Sequence, residues 1–321
     1  MDARGADGGA SSSSTVEHTM REFVSKYGGE KRAVHRWASS AGGEKPSARV
    51  AIVHGYGVHC MFPSLKLAAT ALAQEGGFIV FGLDLAGHGR SEGLRGYIPS
   101  PEAMLSDMFQ FLEEVRRDGD DTTPVFLLGN SMGGAISLLY SISDSCTHKI
   151  DGIALLAPML SIPNVSSIAG TALVAVDAIG LGPLSLPSAV SGSQQGVTEN
   201  SYKDPELREL CAEDELGYNG NMRVGTAASC LSMCNTLQAS FDRIRTPYFI
   251  VMGDADATVD PHEPRVMMEK TVNVAACDKR LEMVEGGLHG LLAEPIETRS
   301  FIINSIKEWI LMRCATNEEK R

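Results

Sequence analysis

Five residues, Gly129-Asn130-Ser131-Met132-Gly133, form the pattern best suited to covalent chemistry. A serine hydroxyl is a weak nucleophile. It needs a backbone that exposes it and a base that takes its proton. The pattern G-x-S-x-G meets the first need when it joins a strand to a helix. Here it follows the apolar run Pro124–Leu128 and precedes a helix-like run from Ala135. A sharp turn puts Ser131 in a strained conformation, and Gly129 and Gly133 let neighbouring backbone approach without a Cβ clash. The hydroxyl then projects above a helix N-terminus, whose free N–H groups favour developing negative charge.

The second need calls for a base and a group to orient it, in the chain order Ser, acid, His. Of the eight histidines, only His289 lies beyond residue 262, in the Gly-rich stretch Glu285-Gly286-Gly287-Leu288-His289-Gly290. It is the candidate general base. The acid belongs to Gly253-Asp254-Ala255-Asp256, which follows the apolar run Tyr248–Met252. Asp256 is favoured by its position three residues after the glycine, over Asp254 and Asp260, which read equally as turn-capping carboxylates. An oxyanion formed at Ser131 needs two N–H donors. One is the residue after the nucleophile, Met132. The other is Tyr56, in His54-Gly55-Tyr56-Gly57 after the run Arg49–His54. His54 precedes the serine in the chain and reads as a loop histidine. In Asp84-Leu85-Ala86-Gly87-His88-Gly89, Asp84 and His88 read as loop-bracing residues rather than catalytic ones.

These residues need a scaffold that brings strand ends together. Short apolar runs at Arg49–His54, Phe78–Leu83, Pro124–Leu128, Ile153–Leu156, Tyr248–Met252 and Leu281–Val284 read as strands. Continuous Val/Ile/Leu/Phe runs suit a parallel sheet covered on both faces. Amphipathic stretches at Leu65–Glu75, Ala103–Arg117, Met132–Ser143, Pro264–Thr271 and Thr298–Met312 read as the covering helices. The alternation predicts an α/β fold with a mostly parallel, doubly wound sheet, whose ligand sites lie at the strand carboxyl ends. Alternation stops between 160 and 240. That segment holds the apolar stretch TALVAVDAIGLGPL, the polar piece SGSQQG and further helical pieces, and it reads as an inserted helical lid. The expected division is a disordered tail over 1–18, a core over 19–159 and 241–316, and the lid over 160–240.

The chain has 321 residues, 43% hydrophobic and 21% charged, as expected of a globular protein with a sizeable core. Its net charge of −12 argues against nucleic acid and anionic surfaces as partners. Seven cysteines, odd in number and scattered, argue for free thiols in a reducing compartment, hence a cytoplasmic location. Cys230 and Cys234 lie four apart, but with no histidine nearby they read as buried thiols rather than metal ligands. The N-terminal residues lack the apolar segment of a secretory signal, and no apolar stretch reaches the roughly 20 residues of a membrane span. Nothing in the sequence sets the oligomeric state.

The set HGYG, D-x-AGHGRSEG, GNSMGG, MGDAD and GGLHG resembles the monoacylglycerol lipase and lysophospholipase branch of the α/β-hydrolases, the serine aminopeptidase-like hydrolases. RSEGLRGYIPS (90–100) and NMRVGTA (221–227) are similar to plant-type members, which include caffeoylshikimate esterase. The resemblance spans about residues 20 to 314. It implies a serine esterase with a triad at Ser131, Asp256 and His289, an oxyanion hole at Tyr56 and Met132, and no cofactor. Its substrate would be a monoacylglycerol- or lysophospholipid-like ester, or alternatively a caffeoylshikimate-type or other small ester. Animal monoacylglycerol lipases carry a Glu soon after the HG motif and an Arg beyond it. Val58 and Phe62 stand there in this chain, so the glycerol contact does not carry over. Asn130 replaces the His or Glu of many relatives, and either lines the pocket wall or fits the turn. Leu173, Val176 and Ile179 of the insertion face an acyl chain or a membrane, or else pack onto the core. Peptidase, thioesterase or acyltransferase activity stays open, as does a hydrolase-fold receptor that binds a ligand with little turnover.

Overall fold

The six apolar runs become six adjacent parallel strands in the computed structural model, which describes residues 15–40, 45–120, 122–144, 148–162, 167–187 and 197–319. These are β3 (Arg49–Val53), β4 (Ile79–Leu83), β5 (Val125–Asn130), β6 (Gly152–Leu156), β7 (Tyr248–Gly253) and β8 (Lys279–Val284). Two further strands, β1 (Val16–Val24) and β2 (Lys31–Ser39), extend one edge to give the order β1-β2-β4-β3-β5-β6-β7-β8. Only β2 runs against the rest.

The sequence reading did not assign β1 and β2. β1 is almost wholly exposed and its sequence VEHTMREFV scatters its apolar residues among polar and charged ones, so no apolar run marks it. Nine paired positions with β2, from Val16↔Ser39 to Val24↔Lys31, hold it in place instead. This corrects the expected tail: residues 16–18 are strand, and residues 1–14 lie outside the described residues.

Helices α1 (Pro63–Gly76), α2 (Pro101–Arg117), α3 (Met132–Ile142), α7 (Glu263–Lys270) and α8 (Ile296–Glu319) fall where the amphipathic stretches predict them. Their ends have local causes. Pro63 opens α1 and Gly77 closes it in the left-handed conformation at φ 63°. The Ser100 side chain caps α2 by accepting from the Ala103 N–H. α1 packs on α8, and α2 on α3. Between them the strands bury an aliphatic and aromatic core that includes Ile52, Phe81, Phe126, Leu127, Phe249 and Ile250. Each such side chain contributes about 1.5–3 kcal/mol on leaving water.

Residues 157–247 add no strand to the sheet among those described. They form α4 (Ser167–Val176), a π-helical turn (Asp177–Leu181), α5 (Pro205–Ala212) and α6 (Val224–Gln238). α5 starts at Asp204, whose carboxylate accepts from the N–H groups of Glu206 and Leu207. α6 packs against both α3 and α4. Its Cys230 and Cys234 are buried, with Cys230 Sγ 3.9 Å from Met132 Sδ. The polar piece SGSQQG lies outside the described residues. No described helix is long and apolar enough to cross a membrane.

Candidate active site

Ser131 sits between β5 and α3 with φ 53° and ψ −117°, a left-handed conformation that costs free energy for any residue with a Cβ. The surroundings enforce it. A Cβ on Gly133 would lie 1.9 Å from the Val53 carbonyl oxygen, and one on Gly129 would lie 2.6 Å from Gly134 Cα. Only glycine lets β3, β5 and α3 approach this closely. The Ser131 N–H donates to the Leu156 carbonyl at 2.9 Å, and its own carbonyl accepts from Met159 N–H at 3.0 Å.

The sheet brings two more strand ends to this turn. After β8, His289 places Nε2 3.0 Å from Ser131 Oγ and Nδ1 2.7 Å from Asp256 Oδ2. Asp256 is buried, and its Oδ1 accepts from the Thr258 and Val259 N–H groups at 2.7 and 3.1 Å. The rival carboxylates go elsewhere. Asp254 accepts from the Gly286 N–H at 2.6 Å and so braces the loop that carries His289. Asp260 accepts from the His262 N–H at 2.9 Å. A close approach at Gly253, where a Cβ would lie 2.3 Å from the Gly287 carbonyl oxygen, seats the acid loop against the histidine loop.

The loop after β3 completes the arrangement. A Cβ on Gly55 would be 3.1 Å from Ser131 Cβ, so this loop lies directly over the serine. Among the described residues no acceptor takes the N–H of Tyr56 or Met132. His54 accounts for the aim of Tyr56. Its Nε2 accepts from the Leu85 N–H at 2.9 Å, so Nδ1 carries the proton and donates to the Gly55 carbonyl at 2.7 Å. Within one peptide the carbonyl and the following N–H point in opposite directions. Fixing Gly55 O therefore fixes Tyr56 N–H. Burial lowers the His54 pKa to about 3, and that of His88 to about 4. Asp84 braces the same region by accepting from Cys60 N–H at 2.8 Å and Arg90 N–H at 2.9 Å. Burial opposes its charge, but the hydrogen bond with His35 and the coulombic pull of His35 outweigh this, and its pKa is lowered.

A cavity of about 640 Å³ opens beside Ser131 and His289. Asn130 and Val58 line it, as does Phe62. Leu173, Val176 and Ile179 do not, which corrects their assignment to the substrate pocket. α4 packs on α6 instead, leaving Leu173 and Val176 half-buried and Ile179 73% exposed. The sequence reading missed the far wall, formed by Val197–Tyr202 with Tyr218 and Asn219. These residues stand in irregular segments with no periodicity to mark them. Hydrogen bonds hold them: Tyr218 N–H donates to Gly57 O at 2.7 Å, and His59 Nε2 lies 2.8 Å from Asp214 Oδ1. Among the described residues no group of His, Cys, Asp and Glu is arranged to hold a metal ion.

This sheet order, with a serine at the sharp turn after β5 and an acid and a histidine after β7 and β8, is that of an α/β-hydrolase. Solved structures share the fold: a monoacylglycerol lipase from Paleococcus ferrophilus (TM-score 0.69, 24% identity, 88% of this chain and 99% of that one) and a carboxyl esterase from Bacillus coagulans (TM-score 0.76, 18% identity, 92% and 99%). Residues 44–296 match the family model described as serine aminopeptidase, S33, and the chain belongs to that family of serine hydrolases. Among curated relatives, it is 31% identical to caffeoylshikimate esterase of Arabidopsis thaliana over 80% of this chain and 75% of that protein. It is 28% identical to monoglyceride lipase of Rattus norvegicus over 84% of each. The chain is thus a hydrolase of the monoglyceride lipase and esterase type.

Proposed function

We propose that the chain cleaves carboxylic esters of the monoacylglycerol or lysophospholipid kind through an acyl-enzyme on Ser131. The observation that carries this is the continuous chain Ser131 Oγ–His289–Asp256, at 3.0 and 2.7 Å. His289 Nε2 takes the Ser131 proton as Oγ attacks the ester carbonyl, and Asp256 holds Nδ1–H and stabilises the imidazolium that forms. The Tyr56 and Met132 N–H groups receive the oxyanion; one such donor is typically worth about 2.7–4 kcal/mol. His289 then gives its proton to the leaving alcohol, and water repeats the sequence on the acyl-enzyme. The scheme calls on no cofactor.

Residues 160–240 serve in this scheme as a lid over the acyl pocket. The exposed Val174, Ile179 and Leu184 offer it an apolar face for peripheral contact with a lipid surface. Similarity to the Arabidopsis relative favours a second substrate class, caffeoylshikimate-type esters. The test is hydrolysis of a panel by wild type and Ser131→Ala: p-nitrophenyl esters of rising chain length, a monoacylglycerol, a lysophospholipid and caffeoylshikimate. Cleavage of one ester by the wild type alone is the expected result and names the substrate class. Turnover retained by Ser131→Ala overturns the nucleophile. An inert wild type that a fluorophosphonate also fails to label at Ser131 points instead to a ligand-binding receptor.

A further inference from the structure

The cavity beside Ser131 carries almost no charge, and no cation lines it among the described residues. Eighteen described residues line it, and none is Lys or Arg. Besides His289, the only ionisable side chain of the acid–base range among them is Glu199. Residues 163–166 and 188–196, outside the described set, hold no charged residue in their sequence either. A smaller adjoining cavity, lined by Val58, Leu65, Leu291 and Leu292 among others, likewise lacks a cation.

Cations next to the wall in sequence are held by other protein groups, Arg208 by the wall residues Glu199 and Tyr202 themselves, and none lines the cavity. Lys203 Nζ lies 3.0 Å from the buried Glu294 carboxylate. Arg208 lies 3.5 Å from Glu199 and donates to the Tyr202 carbonyl at 3.4 Å. Arg95 and Arg223 spend their guanidinium groups on main-chain carbonyls, those of Gly89 and Leu216 for Arg95 and those of Arg95 and Pro183 for Arg223. What the cavity does present is hydroxyl and amide groups: Asn130, Thr198, Asn219 and Thr258, with Tyr56 and Tyr218. Such groups hydrogen-bond a neutral hydroxylated alcohol, but they supply no counter-charge for a phosphate or carboxylate stripped of water. The net charge of −12 adds repulsion of the same sign at longer range.

We infer that this site selects esters whose alcohol half is uncharged and discriminates against those whose alcohol half is anionic, because its walls supply no counter-charge. The inference rests on the esterase reading above and narrows it to monoacylglycerol-like and other neutral esters, since the phosphate of a lysophospholipid and the carboxylate of caffeoylshikimate both lie on the alcohol half. The leaving alcohol must sit within reach of His289, so an anionic group on that alcohol enters the cation-free cavity in the transition state as well as the ground state. The discrimination therefore belongs in kcat/KM.

Two esters with one acyl chain test this: 1-decanoylglycerol and 1-decanoylglycerol 3-phosphate, both kept below micelle formation so that no interface contributes. p-Nitrophenyl decanoate, which is uncharged, reports on the underlying esterase reading. Wild type is expected to show kcat/KM for the phosphate ester at least about tenfold below that for the neutral one. Added salt should narrow the gap, because it screens charge and leaves shape unaltered. Glu199→Lys and Asn219→Lys, both at exposed positions, should raise the ratio of phosphate to neutral turnover several-fold. Equal kcat/KM for the two esters, with the p-nitrophenyl ester cleaved, overturns the charge selection and leaves the esterase standing. A gap that neither salt nor both lysine variants move overturns it too, since steric exclusion would behave that way. Failure on all three esters, with no fluorophosphonate label at Ser131, takes down the esterase reading and this inference with it.

Discussion

At the scale of single residues, three carboxylates near β7 share similar sequence surroundings yet hold different positions. Asp256 is buried against His289 Nδ1, whereas Asp254 ends on the Gly286 N–H and Asp260 on the His262 N–H. Asp256→Asn should lower kcat about 10⁴-fold by favouring the wrong tautomer of the base. Asp254→Asn should cost less than about tenfold, because it weakens only a loop brace. Steady-state kinetics on the two variants separates them, and the reverse order would place the acid at Asp254. His54 makes a second case. His54→Ala frees the Gly55 carbonyl and leaves the Leu85 N–H unpaired. The Tyr56 N–H then loses its aim, and kcat should fall about 10- to 100-fold with KM little changed, less than outright loss of an oxyanion donor. A fall in KM-linked binding alone would contradict that role.

At the scale of elements, a buried ion pair ties the edge strands to α2. Arg32 of β2 places Nε 2.6 Å from Asp107 Oδ2 on α2, with both side chains 4% exposed. Asp107 also accepts from Ser25, in the turn after β1, while Gln110 of the same helix accepts from the Lys26 N–H and donates to the Val24 carbonyl. α2 thereby clamps the β1–β2 hairpin to the sheet. Removing one partner leaves a buried charge uncompensated. Asp107→Ala should destabilise the fold by about 3 kcal/mol, read as a lower midpoint in urea unfolding, and Arg32→Met combined with it should recover part of the loss. A single variant as stable as wild type would mean that the half-buried Glu30, 3.2 Å from Arg32, suffices as counter-ion.

At the scale of the whole molecule, buried neutral histidines set the acid limit of stability. Burial holds His54 at a pKa of about 3 and His88 at about 4, both below the ordinary 6.5. The unfolded chain therefore takes up protons first as pH falls below 6.5. The stability from these groups is complete above that value and drains away as pH falls toward 4. Each accounts for up to about 1.4 kcal/mol per pH unit in that window, so the pair removes about 3–4 kcal/mol between pH 7 and pH 5. Denaturant titrations at the two pH values check the sum, and His88→Gln should show about half the loss. Flat stability across the window would mean that the two rings are already charged in the fold.

The sequence alone determined what depends on neighbours along the chain. The six core strands are legible because a parallel sheet covered on both sides demands continuous apolar runs. Ser131 is legible because its strained turn needs glycine on either side, and His289 because no other histidine follows residue 262. Only the tertiary structure decided what depends on distant pairing. β1 has no apolar run or regular alternation and is held by its register with β2, which no local pattern announces. The choice of Asp256 over Asp254 turns on which carboxylate the packing of Gly253 against Gly287 directs inward. The far wall of the cavity, from Val197 to Tyr202 with Tyr218 and Asn219, is irregular backbone positioned by single hydrogen bonds across more than a hundred residues, such as that from Tyr218 to Gly57. A site's reactive atoms can be read from local motifs because bonding geometry constrains them locally; the shape and charge of the space around them are sums over the whole fold.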